Sequence, residues 1–309
     1  MFDVLQYSSI QHALMTGSLI AIVTAITGYF LIVRGLTFAG HALPNIGFAG
    51  AAGAVMLGLN PFTGLLVFTV GAGIAIGLLG KQVRDRDIAI GIIMATALGL
   101  GILFLSLYSG YAEQAYSILF GQILGISQTD VLVTAMFSAL TVGTLLVLFR
   151  PLLFSSYDSE VAQARGVPVR LLGVVFLVLV AVTISLSVQV IGALLVFTLL
   201  VGPAATAMRI VQRPFWAIII AMGLGLLYTW VGILLAASGD GTLRVSFCIA
   251  SLSFLVYLPV RLLSPLWLER RTRRESVGRQ QRTFVLPKGF AETSNSHIQS
   301  TEKIEGTIR

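Results

Sequence analysis

A histidine and an asparagine lie four residues apart inside a long apolar run. His41 and Asn45 belong to the stretch Arg34–Gly50, which continues through a Gly- and Ala-rich run to Asn60 and Pro61. Positions i and i+4 of a helix share a face, and an imidazole or a carboxamide is costly at membrane depth. Because a neutral imidazole is a metal ligand, the pair is the first candidate for chemistry. A histidine that only hydrogen-bonds to a neighbouring carbonyl is the structural alternative.

Apolar segments must position this pair, because composition places the chain in a membrane. Of the 309 residues, 56% are hydrophobic and 11% are charged, which is typical of a polytopic membrane protein. We predict an all-α fold with about nine transmembrane helices, one of them short and Gly-rich, over residues 10–33, 42–57, 62–79, 88–107, 131–149, 171–188, 192–208, 215–236 and 245–263,. Residues 108–129 favour an interfacial helix and loop. Residues 1–264 would form the transmembrane domain, and residues 265–309 a basic, disordered cytoplasmic tail.

Positive charge alternates between the predicted loops. One set of loops contains clustered Lys and Arg, whereas the other contains Asp3, Glu113, Asp130 and Asp240 against a single Arg244. Because positively charged loops stay in the cytoplasm, the alternation predicts an outside N-terminus and a cytoplasmic C-terminus. The net charge of +7 comes from the same loops and the tail, so we expect no nucleic-acid partner.

Several classes of activity lack the residues they need. The predicted spans contain no interior Asp, Glu, Lys or Arg, whereas ion-coupled carriers use an intramembrane carboxylate. The nearest approach to a phosphate-binding loop, before Lys81, lacks its first glycine and its terminal Ser or Thr, and no zinc-protease or nucleophile-elbow motif occurs,. We therefore expect no enzyme and no bound cofactor; if transport is active, another subunit hydrolyses ATP. A secondary carrier or exporter and a non-transport membrane scaffold are the alternatives.

The longest polar interruption before the tail predicts a short helix. Ser156 or Asp158 can cap it, Glu160 suits its positive N-terminus, and Gly166 followed by Pro168 would end it,. Such a helix could contact a partner subunit, or it could be an ordinary solvated loop helix. Elsewhere, the glycines in the third and fourth segments predict close helix packing at Gly71, Gly73, Gly77, Gly99 and Gly101.

Three motifs in order resemble the membrane permeases of bacterial ATP-binding-cassette importers for zinc, manganese and iron. The segment Asp158–Val169 is similar to that family's Asp-Pro-Glu-x-Ala-x-x-x-Gly-x-Pro sequence. The stretch from Arg34 to Gly50 is similar to its Arg-x-Leu-Ser-x-x-Gly-Asp-Ala-x-x-His-x-x-x-x-Gly sequence, and Gly192–Ala207 matches a third stretch. The resemblance covers roughly residues 10–263 and leaves out the tail.

The resemblance implies an architecture and a set of partners. We expect a fold like that of type II importers and a homodimer in the bacterial plasma (inner) membrane. The homodimer would work with a cytoplasmic ATPase dimer and an extracytoplasmic metal-binding protein. The resemblance makes the short helix the coupling helix that docks in the ATPase, with contact residues Asp158, Glu160, Ala162, Arg165, Gly166 and Pro168. Gly50, Gly192 and Pro203 are candidate hinge or packing residues from the sequence itself, and Pro203 would kink its span either as a static bend or as a hinge.

The candidate metal site departs from the family pattern. The family's Asp and His, which meet the metal in the pore, fall here on His41 and Asn45. An uncharged His/Asn pair suits a divalent metal less well than an Asp/His pair, because asparagine is a poor ligand for zinc or manganese. Two interpretations stay open: a weak transit site with ligands from both protomers, or a site that no longer handles a bare ion.

Overall fold

The elements of the chain are helices throughout the part that the structure describes. The computed structural model describes residues 8–79, 83–108, 119, 121, 125–193, 195–238 and 244–263. In chain order they form α1 (Ser8–Val33), α2 (Thr37–Met56), α3 (Pro61–Leu78), α4 (Val83–Ser106), α5 (Gln128–Val147), α6 (Phe149–Tyr157), α7 (Ser159–Ala164), α8 (Val169–Ile191), α9 (Val196–Ile210), α10 (Pro214–Ser238) and α11 (Val245–Leu263). The predictions for the 108–129 segment and for the tail lie largely or wholly outside these residues.

Seven of these helices are long and apolar enough to cross a membrane, namely α1, α3, α4, α5, α8, α10 and α11. The apolar helix α9 is shorter, and α2 is the Gly- and Ala-rich helix. All nine predicted apolar segments are therefore helical, and the prediction of an all-α membrane protein is confirmed. That α2 and α9 bring the number of spans to nine stays a prediction.

Helix α2 is longer and more regular than its sequence predicts. Hydropathy starts the segment at Ala42, but the helix begins at Thr37 and continues through Pro44. A proline inside a helix removes one main-chain donor, here the one opposite the Gly40 carbonyl. Most residues of α2 are buried against neighbouring helices, and such packing stabilises a helix that contains a proline.

Local signals set the helix ends on both sides of α2. Helices α1 and α2 each end in a Schellman motif, with Gly35 and Gly58 in the left-handed conformation (φ +64° and +67°) that glycine adopts without strain,. Asn60 then caps α3, where its side-chain oxygen accepts a main-chain N–H two residues on (2.9 Å), and Pro61 takes the first helical position,. Asn60 and Pro61 therefore lie between the two predicted segments 42–57 and 62–79, where α2 has ended and α3 begins.

Helix α2 is held at the centre by glycine contacts. A Cβ atom built on Gly50 of α2 or on Gly64 of α3 would overlap the carbonyl oxygen of the other. On the opposite side, a Cβ atom on Gly101 of α4 would lie 2.8 Å from the ring of Phe48. Helix α2 therefore lies tightly between α3 and α4, and it also contacts α8 and α9.

The glycine prediction for α3 and α4 is correct for only some positions. Cβ atoms on Gly73 and Gly77 would lie 2.9 Å from main-chain or side-chain atoms of α8, and Gly101 contacts α2. Around Gly71 and Gly99 there is open space. Those two glycines make no close contact with another described helix of the same chain, so the prediction is wrong for packing within the chain.

Hydroxyl groups connect helices α1 and α3 to α8. The buried side chains of Thr69 on α3 and Ser185 on α8 are 2.6 Å apart, and Thr27 on α1 lies 3.4 Å from Thr183 on α8. In the part of the chain that the structure describes, the buried polar residues are all Thr or Ser. The bundle is thus joined by neutral hydrogen bonds rather than by buried ion pairs.

Candidate functional site

His41 is an exposed residue on a helix that is otherwise largely buried. It lies in the second turn of α2 between the buried residues Gly40 and Ala42. Its ring packs edge to face against Phe197 of α9, with centroids 5.2 Å apart and planes at 77°. The aromatic contact holds the imidazole in place, and the exposed remainder of the ring can meet a ligand.

Asn45, one turn further along α2, is half-buried and turned toward a different helix. Its amide nitrogen donates to the main-chain oxygen of His41 (2.9 Å) and contacts the Met94 sulfur of α4 (3.6 Å). Both contacts use the amide nitrogen. The carboxamide oxygen is therefore the atom that could coordinate a metal ion. The two residues share a face as predicted, but α9 contacts the first and α4 contacts the second.

The pair does not form a complete metal site within one chain. Among the described residues there is no group of three or more His, Cys, Asp or Glu side chains. An imidazole and a carboxamide oxygen are neutral donors, and the amide is a weak one. The arrangement suits brief contact with a passing cation better than storage of a bound one.

The predicted short helix is formed by α7. Asp158 is its cap: one carboxylate oxygen accepts the main-chain N–H groups of Glu160 (3.1 Å) and Val161 (3.0 Å). Ser156, the other predicted cap, donates instead to the carbonyl of Leu152 inside α6. The helix ends at Gly166 (φ +83°) in the same Schellman motif that ends α1 and α2,.

Helix α7 has an inner face and an outer face. Ala162 is fully buried, whereas Val161 is 43% exposed. Glu160, Arg165 and Pro168 are also exposed, and the Arg165 guanidinium lies over the Phe154 ring of α6, 5.8 Å from its centroid. Ala162 therefore packs against the chain itself, so a partner would contact Val161 and the charged residues around it.

The α6 helix links this segment to the turn before α2. The sequence predicts a loop here, because a nine-residue helix is too short for a clear hydrophobic period. Arg34, in the α1–α2 turn, donates to the Ser155 hydroxyl of α6 (3.1 Å), and its guanidinium lies 5.5 Å from the centroid of the Phe176 ring. Burial lowers the pKa of Arg34,, although a guanidinium stays charged. One side chain thus connects α6, α8 and the start of the His41 helix.

Comparison with known proteins assigns the chain to a family. Residues 6–263 match the model of the ABC 3 transport family, a range that includes α1 to α11. The chain belongs to the ABC 3 transport family. Together with its apolar helices, this membership makes it a multi-pass membrane protein.

The relatives and a solved structure agree with this ABC 3 membership. The manganese transport system membrane protein MntC of Halalkalibacterium halodurans is 30% identical over 283 residues, covering 89% of this chain and 97% of that protein. The high-affinity zinc uptake system membrane protein ZnuB of Haemophilus influenzae is 31% identical over 215 residues, covering 68% and 82%. The solved structure of PsaBC from Streptococcus pneumoniae in complex with Fab matches with a TM-score of 0.75 and 28% identity, over 84% of this chain and 93% of that one.

The remaining candidate residues of this ABC 3 chain lie apart from the His41 pair. Gly50 is at the α2–α3 contact. Gly192 ends α8 with φ +95° and ψ 155°, a conformation that is essentially restricted to glycine. Pro203 is buried inside α9. Gly50 is therefore a packing residue, and Gly192 ends α8.

Two contact residues of the site were not found from the sequence. Phe197 and Met94 touch His41 and Asn45 from helices far away in the chain. Neither stands in a local motif, because each belongs to an ordinary apolar helix. Only knowledge of which helices pack on α2 would have identified them.

Proposed function

We propose that this chain is the permease subunit of an ATP-driven importer of a divalent metal cation, which is zinc, manganese or iron. One observation carries the proposal: His41 is exposed on a helix whose other residues are mostly buried. An imidazole facing lipid would be unfavourable, so the exposed ring faces a path for a polar substrate. The names of MntC and ZnuB make metal cations the substrate class to test first.

In this proposal two copies of the chain surround the path in the bacterial plasma (inner) membrane. A two-fold axis would bring two His41 residues and two Asn45 residues together, which supplies the donors that one chain lacks. Helices α2 and α9 would complete nine spans, in an architecture like that of type II importers. Residues 1–264 would form the membrane domain and residues 265–309 the cytoplasmic tail.

The energy would come from a separate cytoplasmic ATPase dimer, with no cofactor bound to the permease. Support comes from α7, whose outer residues are exposed on the loop side that is rich in Arg. That loop side would be cytoplasmic and the N-terminus outside, so Asp158, Glu160, Val161 and Arg165 would face the ATPase. An extracytoplasmic metal-binding protein would deliver the cation from the other side.

The experiment is metal uptake by vesicles containing the permease with its ATPase and binding protein. We expect His41→Ala to lower uptake about tenfold or more, the range found when groups around a metal ligand are removed. His41→Asp should retain uptake, because a carboxylate is also a ligand, and Asn45→His should bind the cation more tightly and slow its release. Uptake is measured with radiolabelled zinc, manganese and iron, normalised to inserted protein.

His12→Ala is the matched control, because His12 is half-buried near the start of α1 and belongs to no candidate site. It should leave uptake unchanged. Wild-type uptake by His41→Ala would show that the imidazole is structural and would remove it from the path. Absence of uptake by the wild-type complex for all three metals would contradict the proposed function itself.

A further inference from the structure

Met94 places a sulfur atom beside the weakest donor of the candidate metal path. Its sulfur lies 3.6 Å from the amide nitrogen of Asn45. Asn45 in turn is tied to the His41 carbonyl at 2.9 Å. The Met94 thioether thus contacts the Asn45 carboxamide, which is bonded to the main chain of His41 one turn earlier on α2.

The Met94 side chain is not fully enclosed in the core, because the residue is only half-buried on α4. Met94 packs against the main core cluster from its edge. A methionine has three rotatable side-chain bonds, so its sulfur can turn from the Asn45 amide toward a ligand that reaches the carboxamide oxygen.

We propose that Met94 is a specificity-determining residue of the metal path and makes it favour zinc over manganese. A thioether and an imidazole are softer donors that suit zinc, whereas manganese prefers carboxylate, carbonyl and water oxygens. The only hard donor in this group is the carboxamide oxygen of Asn45, which is uncharged. The inference rests on the proposed function, because it concerns which cation crosses the same path.

A packing role for Met94 makes a different prediction. Methionine often fills irregular gaps, and a gap-filling residue supports the position of Asn45 for every cation alike. Its replacement would then change zinc and manganese uptake by the same factor. A ligand role instead changes the ratio of the two, because only zinc gains from the sulfur.

The test is competitive uptake of radiolabelled zinc and manganese by vesicles with the complete complex. Met94→Leu conserves side-chain volume closely and removes the sulfur. We expect the zinc-to-manganese uptake ratio to fall several-fold, mainly through slower zinc uptake. Met136→Leu is the matched control, because Met136 is 63% exposed on α5 and should leave the ratio unchanged.

A second variant separates a ligand from a packing residue even if Met94→Leu perturbs the fold. Met94→Cys, on a Cys248→Ser background, leaves a larger gap than leucine but keeps a sulfur donor. We expect it to keep the zinc preference and to make uptake more sensitive to cadmium. A packing role predicts the opposite order, with Cys more damaging than Leu.

An unchanged ratio in Met94→Leu, or equal losses for both metals in both variants, would overturn the inference. If the wild-type complex takes up iron but neither zinc nor manganese, the inference alone is overturned; if it takes up none of the three metals, the proposed function fails and the inference fails with it. The two failures are distinguishable, because wild-type uptake is measured before any variant.

Discussion

At the scale of single residues, the packing of the central helix α2 depends on glycines, which have no side chain. Gly50 and Gly64 let the main chains of α2 and α3 touch, since a Cβ atom on either would overlap the carbonyl oxygen of the other. Without a hydrophobic driving force between helices in lipid, such close packing is a main source of association. The position of His41 therefore depends on glycines that are chemically inert.

Gly50→Ala should destabilise the protein by about 1–3 kcal/mol, the usual cost of overpacking a core. The added methyl would also meet the Phe68 side chain at 2.6 Å, so α3 must move. Thermal unfolding of the purified permease in detergent measures the loss. Gly71→Ala is the control on α3 itself, because a Cβ atom there meets nothing within 4 Å and alanine favours helix by up to about 1 kcal/mol. Equal melting temperatures for the two variants would refute the packing argument.

Residue-scale prediction from sequence succeeded where one local signal decides the outcome. Asp158, one of the two predicted caps, does cap a helix, because its side-chain oxygen reaches N–H groups two and three residues on,. The contacts of Asn45 with Met94 and of His41 with Phe197 were out of reach, because they depend on the order in which helices pack.

At the scale of elements, hydropathy found every long helix but not every short one. A segment of 18 or more apolar residues is recognisable from hydropathy, whereas α6 has only nine residues and lies where the sequence predicts a loop. Without α6, the sequence does not indicate the hydrogen bond from Arg34 to Ser155, which lies on that helix. The position of α2 was recognisable by its motif, but its length was not, because Pro44 and four glycines obscured the helical pattern.

The α7 helix supports a prediction about coupling. Val161→Glu should leave the permease inserted but weaken ATPase binding by about 2 kcal/mol, because it places a charge in a contact that becomes desolvated. Gly166→Pro should do the same by a different route, since φ is +83° there and proline requires about −65°. Co-purification with the ATPase and metal uptake are measured together.

Val161→Thr is the control for the α7 variants, because it keeps the side-chain shape without adding charge. It should bind the ATPase nearly as the wild type does. Ala162→Glu would be a poorer test, because Ala162 is fully buried and the change would disrupt α7 itself. Normal co-purification together with normal uptake in Val161→Glu would exclude α7 as the docking element.

At the scale of the whole molecule, apolar surface bears on how the protein lies in the membrane, and charge bears on its orientation there. The sparsely buried helices α3, α4 and α5 present large apolar side chains outward, as lipid or a second protomer requires. With nine spans, as predicted, the connecting segments on one side of the membrane would contain Arg34, Arg150, Arg165, Arg170, Arg209 and Arg213, whereas those on the other side would contain few basic residues. Sequence alone supports this orientation, since the geometry of a helical bundle has no direction relative to a membrane.

The orientation predicts where impermeant thiol reagents can act. Ser9 and Ser159 are both exposed, and they lie at the N-terminal end of α1 and the start of α7. On a Cys248→Ser background, Ser9→Cys should react from outside intact cells and Ser159→Cys only after the membrane is opened, because basic loops remain cytoplasmic. Cys248 is buried, so it would contribute little label even in a protein that retains it. Labelling of both positions from the same side would mean that the number of spans between them is even, and α7 could not then meet a cytoplasmic ATPase with the N-terminus outside.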